Sequence, residues 1–138
     1  MSTYVNTRPR LSPGITTLPA KYYTDPGHFA AEMERIYCEM WLCAGRTEQV
    51  GEPGSYFVRR MGNASVIIVR GEDGRIHAHH NVCRHRGAQL CDAAVNEAVA
   101  GSIRCQYHSW TYSLDGRLVA TPRVDDEFDR GQYGLWQH

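Results

Sequence analysis

The sequence lacks an excess of either charge, a long apolar run and an even set of cysteines. Fifteen Lys and Arg residues balance fifteen Asp and Glu residues, so the formal net charge is zero with the histidines neutral. Without a basic excess there is no global field to attract nucleic acid, and we expect no nucleic-acid partner. The longest strongly apolar run, residues 66–69, is far shorter than the roughly 20 residues of a membrane span. We therefore expect a soluble protein with no membrane partner.

Signs of secretion are also missing. No apolar stretch follows the basic residues near the N-terminus, which argues against a secretory signal peptide. Five cysteines are an odd number, and 138 residues are enough to fold without disulfides, so the pattern favours reduced thiols or metal ligands. The expected location is cytoplasmic, and the length predicts about one domain.

Turn residues divide the N-terminal third of the chain. Several Pro and Gly residues among Ser and Thr predict an extended arm over residues 1–24. Asp25 is suited to cap a helix that has Pro26 at its first position, and the apolar spacing that follows predicts a helix over residues 25–41, packed on the domain. Its apolar stripe is interpreted as core packing and comprises Phe29, Met33, Ile36, Tyr37 and Met40.

Residues 42–125 are predicted to form a mainly β domain. Short strand-like segments separated by turn residues fall at 42–44, 55–60, 65–70, 75–80, 102–105, 110–114 and 117–120. No helical pattern lies between them, which favours an antiparallel β-sandwich or small barrel. Asp115-Gly116 predicts a two-residue type I′ hairpin. The acidic and aromatic tail, residues 126–138, leaves Tyr133, Leu135 and Trp136 without an obvious local partner.

Two compact pairs of Cys and His stand apart from the rest of the sequence. Cys83 and His85 form a C-x-H pair, and Cys105 and His108 form a C-x-x-H pair after 19 intervening residues. A short turn can aim both side chains of a pair at one site, so the pattern predicts a metal centre built from two loops. Thiolates stabilise ferric iron and bridging sulfide, and imidazoles in place of thiolates raise the reduction potential.

Zinc and a two-iron cluster are the alternatives for such a ligand set. Zinc fingers commonly take two Cys from one turn and two His from a helix. Here each loop supplies one Cys and one His, which suits a [2Fe-2S] cluster with both Cys on one iron and both His on the other. The ligand order therefore favours the cluster, and a Cys₂His₂ zinc-binding module is kept as an alternative.

The two loops resemble the Rieske domain of the α subunits of Rieske non-haem iron oxygenases, the aromatic-ring-hydroxylating dioxygenases and related monooxygenases. The resemblance lies in Cys-Arg-His-Arg-Gly-Ala-Gln-Leu from Cys83 and Cys-Gln-Tyr-His-Ser-Trp-Thr-Tyr from Cys105, and it extends over nearly the whole chain. Respiratory-type Rieske proteins carry a further Cys in each loop, where this sequence has Ala88 and Tyr107, which favours the oxygenase branch. Ser109 departs from the pattern, because Gly is common after the second His.

The resemblance implies a role for each ligand. Cys83 and Cys105 would bind the buried iron, and His85 and His108 the outer, more exposed iron of a Rieske [2Fe-2S] cluster. Near the loops, aromatic rings exclude water and arginines suit the docking of an acidic electron donor. These supporting residues are Arg84, Arg86, Arg104, Tyr107, Trp110 and Tyr112.

In that family, oxygen is activated at a mononuclear Fe(II) held by two His and one carboxylate in a following domain. The corresponding motif is not found in this sequence, so we expect no catalytic residue here, electron transfer only, and a missing catalytic domain that begins within residues 126–138. The implied partners are a ferredoxin or flavin reductase and the catalytic domain of the same or a neighbouring subunit. The implied assembly is a homotrimer or an α/β oligomer.

A stand-alone Rieske ferredoxin is the main alternative function. A simple carrier does not need the arm and helix of residues 1–41, which therefore favour the oxygenase subunit. The pattern does not select among aromatic hydrocarbons, aromatic acids and quaternary amines as substrates. Three histidines on a predicted strand are interpreted as ordinary strand residues, namely His77, His79 and His80. The other cysteines are interpreted as buried small apolar side chains, namely Cys38, Cys43 and Cys91.

Overall fold

The structure of the chain is a computed structural model that describes Gly14 and residues 16–92, 99–125 and 127–137. The chain divides into two compact units, Met1–Glu39 and Met40–His138. Within these described ranges, no helix is long and apolar enough to cross a membrane. Most of the predicted arm, residues 1–24, lies outside the described residues.

Two short helices form the described part of the first unit. α1 spans Lys21–Thr24, α2 spans Pro26–Glu32, and a π-helical turn, Met33–Tyr37, continues α2. The predicted cap is confirmed, because the Asp25 side chain accepts a 2.9 Å hydrogen bond from the backbone N–H of His28. Two predicted boundaries are wrong. The helical turn α1 lies inside the predicted arm, because the Pro and Gly residues that interrupt strands also permit a helix to begin. The second helix ends before residue 41.

The apolar stripe of this unit is largely exposed, so its interpretation as core packing is wrong for this chain. Phe29 is 60% exposed, and Ile36 and Tyr37 are exposed as well. Helical spacing identifies which side chains share a face, but it contains no information about whether another surface covers that face.

Two three-stranded antiparallel sheets form the second unit, and the predicted mainly β fold class is confirmed. The first sheet contains β1 (Tyr56–Met61), β2 (Ala64–Arg70) and β3 (Ile76–His80), and the second contains β4 (Ser102–Arg104), β5 (Thr111–Ser113) and β6 (Leu118–Ala120). Residues 42–44, predicted as a strand, are irregular, and a 3₁₀ turn, Thr47–Val50, follows shortly after them. The Ala44 carbonyl accepts a hydrogen bond from the Arg59 side chain in place of a strand partner.

The hairpin between β5 and β6 has a three-residue loop, so the prediction of a two-residue type I′ turn is wrong. Gly116 has a φ of 90°, whereas type I′ also needs a positive φ at Asp115, which has none. The N–H of Gly116 donates to the carbonyl of Ser113, and the N–H of Ser113 donates to that of Arg117. The extra loop residue, Leu114, is buried in the core.

β2 is buried on both faces, which explains the apolar run at residues 66–69. Ile67 and Val69 belong to the main core, which also contains residues of the second sheet. Val66 and Ile68 face the other way and pack in a smaller cluster with Val50 and Phe57. Successive side chains of a strand alternate between faces, so two cores on either side of one strand require a continuous apolar sequence.

The tail packs into the second unit, where its apolar residues, which have no obvious local partner in the sequence, contact residues that are remote in the chain. Leu135 is 6% exposed and lies in the main core. The ring of Tyr133 packs edge-on against that of Trp110, with 5.8 Å between centroids. These contacts join residues more than 20 positions apart, which a local pattern does not reveal. Residues 127–137 are therefore part of the same folded unit as the sheets.

His79, on β3, connects the two sheets from within the core. It is 0% exposed, and its Nε2 lies 2.8 Å from the carbonyl oxygen of Leu114. A carbonyl only accepts, so Nε2 carries the proton and Nδ1 is bare, with no hydrogen-bond partner in the described structure. Burial lowers the pKa of His79, and the nearby His77 lowers it further, while the Leu114 carbonyl and Asp115 oppose the shift.

The buried His79 predicts a stability that falls in mild acid. Because its folded pKa lies below the unfolded value, the unfolded chain binds the proton first as the pH falls, and stability is lost from about pH 6.5 downward. Between pH 7 and pH 5, this loss should be on the order of 1 kcal/mol. Urea unfolding should show that His79→Gln removes this part of the pH dependence and that His28→Gln, at an exposed position, does not. An identical pH slope in wild type and His79→Gln would contradict the prediction.

Candidate metal centre

The first predicted ligand loop follows β3 and turns back on its own cysteine. The N–H of Cys83 donates to the carbonyl of Ala88 at 2.8 Å, and the N–H of Gly87 donates to the carbonyl of Cys83 at 2.9 Å. Gly87 has a φ of 72°, in the left-handed region that favours glycine. The loop is therefore closed by hydrogen bonds of its own backbone.

The second loop, between β4 and β5, repeats this hydrogen bonding. The N–H of Cys105 donates to the carbonyl of Trp110 at 2.8 Å, and the N–H of Ser109 donates to the carbonyl of Cys105 at 3.0 Å. Ser109 thus occupies the position of Gly87 in the first loop, and its φ is 59°. Its hydroxyl oxygen accepts a 2.8 Å hydrogen bond from Arg104. The departure from Gly noted in the sequence is therefore accommodated by a left-handed serine whose side chain is hydrogen-bonded.

The two thiols are buried and the two imidazoles lie toward the solvent. Cys83 and Cys105 are each 2% exposed, whereas His85 is half-buried and His108 is exposed. The centroids of the two imidazole rings are 4.9 Å apart. Burial raises the pKa of the Cys83 thiol, and the neighbouring Cys105 raises it further. The structure thus brings the four predicted ligands together as an inner sulfur pair and an outer nitrogen pair.

Tyr112, one of the aromatic residues that the sequence places beside the second loop, contacts the buried sulfur. Tyr112, on β5, is 0% exposed, and its hydroxyl lies 3.3 Å from the Sγ of Cys83. The same oxygen accepts a 3.0 Å hydrogen bond from the backbone N–H of Arg84, so its single proton is free to point at the sulfur. Burial raises the pKa of Tyr112, which keeps that proton in place. The sequence suggests this supporting role through the position of Tyr112 beside the second loop, with burial in the β core as the alternative.

Each of the two imidazoles packs against an aromatic ring. The ring of Trp110 stacks on that of His85 with 4.7 Å between centroids and 11° between planes. Trp110 is itself buried and packs against Phe128 of the tail. Tyr107 is 60% exposed, and its ring lies 3.9 Å from that of His108. Of the three aromatic residues predicted to support the centre, Trp110 and Tyr112 are therefore buried, and Tyr107 is a surface neighbour of His108.

The arginines near the loops have different surroundings. The Arg84 guanidinium lies 3.9 Å from the centroid of the Trp136 ring, and its Nε is buried. Arg86 and Arg104 instead line a cavity of about 480 Å³ beside the imidazoles, together with Arg123. The sequence pattern missed Arg123 because it lies outside both ligand loops and reaches the site only through the fold. Arg123, rather than Arg84, therefore lies with Arg86 and Arg104 beside the imidazoles.

A two-iron cluster fits these residues better than a single ion. Among the residues that the structure describes, no three His, Cys, Asp or Glu side chains converge on one metal position. A single zinc would need four ligands at about 2.0–2.3 Å from one point. In a cluster with bridging sulfides, the thiol pair and the imidazole pair hold different irons and need not converge. The Cys83 thiol must lose its proton when metal binds, as thiolate ligation requires.

The other cysteines and the strand histidines do not belong to the residues 83–88 and 105–110 of the two ligand loops. Cys91 is buried, and burial raises its pKa to about 11, as expected for an inert thiol. Cys38 and Cys43 are exposed, so their interpretation as buried residues is wrong. His77 and His79 are strand residues as predicted, with rings stacked at 5.9 Å between centroids.

A β domain whose two matching loops bury a pair of thiols beneath a pair of imidazoles defines an iron–sulfur electron-transfer protein. The model of the family described as the Rieske [2Fe-2S] domain matches residues 40–129, and the chain belongs to that family. The resemblance to the oxygenase α subunits is confirmed, and the cofactor of the domain is a Rieske [2Fe-2S] cluster. The zinc alternative is not supported.

The relatives are oxygenase components and are longer than this chain. The glycine betaine monooxygenase oxygenase subunit of Chromohalobacter salexigens is 44% identical over 123 residues, which are 88% of this chain and 27% of that protein. Naphthalene 1,2-dioxygenase from Rhodococcus sp. has 34% identity and a TM-score of 0.79, with 86% of this chain and 28% of that chain covered. The quaternary ammonium Rieske monooxygenase CntA, in complex with L-carnitine, has 30% identity and a TM-score of 0.78, covering 86% and 34%.

Loss of the Tyr112 hydroxyl should lower the reduction potential of the centre. A hydrogen bond to sulfur stabilises the reduced, more negative state, so Tyr112→Phe should shift the potential down by on the order of 50 mV. A redox titration followed by circular dichroism measures this shift. Tyr133→Phe, which keeps a nearby ring and removes a hydroxyl elsewhere, is the control. An unchanged potential in Tyr112→Phe would show that the hydroxyl does not act on the sulfur.

Proposed function

We propose that this chain is the electron-transfer domain of the oxygenase α subunit of a Rieske non-haem iron oxygenase. The observation that carries the proposal is the inner pair of thiols and outer pair of imidazoles on two loops with the same hydrogen bonds. Cys83 and Cys105 would hold the inner iron, and His85 and His108 the outer iron. When bound, the [2Fe-2S] cluster supplies the transfer of one electron at a time.

The residues around the ligands have separate tasks. The burial of Cys83 and Cys105 excludes water from the sulfur side. Tyr112 holds a proton at the Cys83 sulfur. Trp110 fixes the plane of the His85 ring by stacking. His85 is half-buried and His108 is exposed, so a partner can approach both imidazoles from the surface.

Two protein partners follow from this proposal. The donor would be a ferredoxin or flavin reductase that docks over the imidazoles and meets the positive charge of Arg86, Arg104 and Arg123. None of these three guanidinium groups forms an ion pair with a carboxylate of a described residue, so their charge is available to an acidic surface. The acceptor would be the mononuclear iron of a catalytic domain in the same or a neighbouring subunit, within a homotrimer or an α/β oligomer.

A quaternary ammonium compound is the substrate class that we propose for the whole oxygenase. The support is the 44% identity to a glycine betaine monooxygenase oxygenase subunit and the match to a quaternary ammonium Rieske monooxygenase. Aromatic ring hydroxylation is the second candidate, favoured by the match to naphthalene 1,2-dioxygenase. Five free cysteines are consistent with a reducing compartment such as the cytoplasm.

Metal content and spectroscopy test the proposed ligands. The purified chain should hold about two iron atoms and two acid-labile sulfides, and its dithionite-reduced form should give the EPR signal of a His-ligated cluster. His108→Cys should change that signal towards an all-Cys type, whereas His28→Cys, in the first unit, should not. A colourless protein that contains zinc and no sulfide would overturn both the oxygenase domain and the stand-alone ferredoxin.

Docking is tested by removing charge beside the imidazoles. The double variant Arg86→Gln with Arg123→Gln should take up electrons from a reduced acidic ferredoxin about tenfold more slowly at low salt, because long-range attraction is lost. The difference from wild type should shrink as salt rises and screens the charges. Stopped-flow reduction measures both effects, with Arg75→Gln, exposed on the turn between β2 and β3, as the control. Equal rates for wild type and the double variant at every ionic strength would exclude this surface.

A further inference from the structure

We infer that Asn81 is a positioning residue that sets the geometry of the first ligand loop. Asn81 is 1% exposed and lies between the end of β3 and Cys83. It contacts none of the four ligand side chains through the hydrogen bonds of its amide. Its polar group is nevertheless buried in an otherwise apolar core, which is costly unless every donor and acceptor is satisfied.

The amide of Asn81 is fully used. Its Oδ1 accepts hydrogen bonds from the backbone N–H groups of Leu90 at 3.1 Å and Cys91 at 2.8 Å. Its Nδ2 donates to the carbonyl of Cys91 at 2.7 Å and to the hydroxyl of Ser65 at 3.1 Å. Two acceptor sites and two donor hydrogens thus meet four partners. The backbone N–H of Asn81 also donates to the carbonyl of Ser65 at 2.8 Å.

These bonds join three parts of the domain at one point. Leu90 and Cys91 are the end of the first loop, Asn81 is its start, and Ser65 belongs to β2. The loop is thereby closed at its base and fastened to the sheet, while its own backbone bonds from Cys83 to Ala88 shape the tip. Cys83 and His85 both lie within the loop that Asn81 closes at its base, so a change at Asn81 would move both proposed ligands together.

The inference rests on the proposed ligand set and predicts faster loss of the cluster without Asn81. Removing the side chain leaves the N–H groups of Leu90 and Cys91 unpaired in the core and frees the base of the loop. Residues that orient metal ligands commonly contribute tenfold or more to retention, so iron release from Asn81→Ala to a chelator should be about tenfold faster. Ser65→Ala, which removes one of the four amide partners, should show a smaller acceleration.

The experiment must separate loop geometry from general stability. The reference variant is Ile68→Ala, which lies in the smaller core cluster on the other face of β2 and creates a cavity. Iron release from the full chain is compared for Asn81→Ala and Ile68→Ala at urea concentrations that give the same fraction unfolded. Asn63→Ala, on the exposed turn between β1 and β2, controls for the residue type. The EPR signal of the retained cluster is recorded for each variant.

Each outcome decides the inference. Faster release and a broadened EPR signal in Asn81→Ala, with wild-type signal in Ile68→Ala at matched stability, support it. Equal release rates for the two variants at matched stability would reduce Asn81 to a general core residue and overturn it. If Asn81→Ala does not fold, Ser65→Ala decides, and release at the wild-type rate overturns the inference. A wild-type chain that holds no iron and sulfide instead contradicts the proposed function itself.

Discussion

The hydroxyl of Tyr112 joins the two halves of the metal centre, and the arrangement of both loops depends on it. Tyr112 belongs to β5, the strand that leaves the second loop, yet its oxygen bonds to Cys83 and to the N–H of Arg84 in the first loop. A hydroxyl has one proton and can accept from more than one donor, so it satisfies a backbone group and directs its proton at a sulfur in the same place. Its complete burial removes competing water, which strengthens both bonds. A residue of the second sheet, and not the loops alone, therefore surrounds the buried sulfur of Cys83.

The two ligand loops have the same backbone hydrogen bonds but different side chains at the left-handed position. Both close over six residues, 83–88 and 105–110, and both place a left-handed residue four positions after the cysteine, Gly87 in one and Ser109 in the other. A non-glycine residue in that conformation costs about 1–2 kcal/mol, and the hydrogen bond from Arg104 to Ser109 offsets part of that cost. The same bond holds Arg104 at the outer face beside His108. The serine at position 109 therefore restrains the Arg104 side chain on the surface that, under the proposed function, a partner would approach.

The features that could be predicted from the sequence are those that depend on residues close together in the chain. The strands, the cap at Asp25 and the Cys–His pairs are local patterns, and their prediction required only neighbouring residues. Several features depend instead on surfaces that are remote in the sequence, namely the exposure of Phe29, the packing of Leu135 and the stacking of Arg84 on the tail. Other errors are local boundaries, at the helical turn Lys21–Thr24 and at residues 42–44. The turn at Gly116 is an intermediate case, because Asp-Gly suits both loop lengths and the burial of Leu114 favours the longer one. The hydrogen bonds of Asn81 were hidden because a buried polar group is recognised only by its partners, and the sequence placed Tyr112 beside the cluster without showing which sulfur it contacts.

The fold of this domain does not separate relatives that are named for unlike substrates. Naphthalene 1,2-dioxygenase and a quaternary ammonium Rieske monooxygenase in complex with L-carnitine match this chain with TM-scores of 0.79 and 0.78. Such a match carries no information about substrate, because function resides in a site rather than in a fold. The described residues of this domain constrain instead how the two imidazoles are presented. Arg86, Arg104 and Arg123 lie beside the imidazoles, Trp110 stacks on His85, and Asn81 closes the base of the first loop.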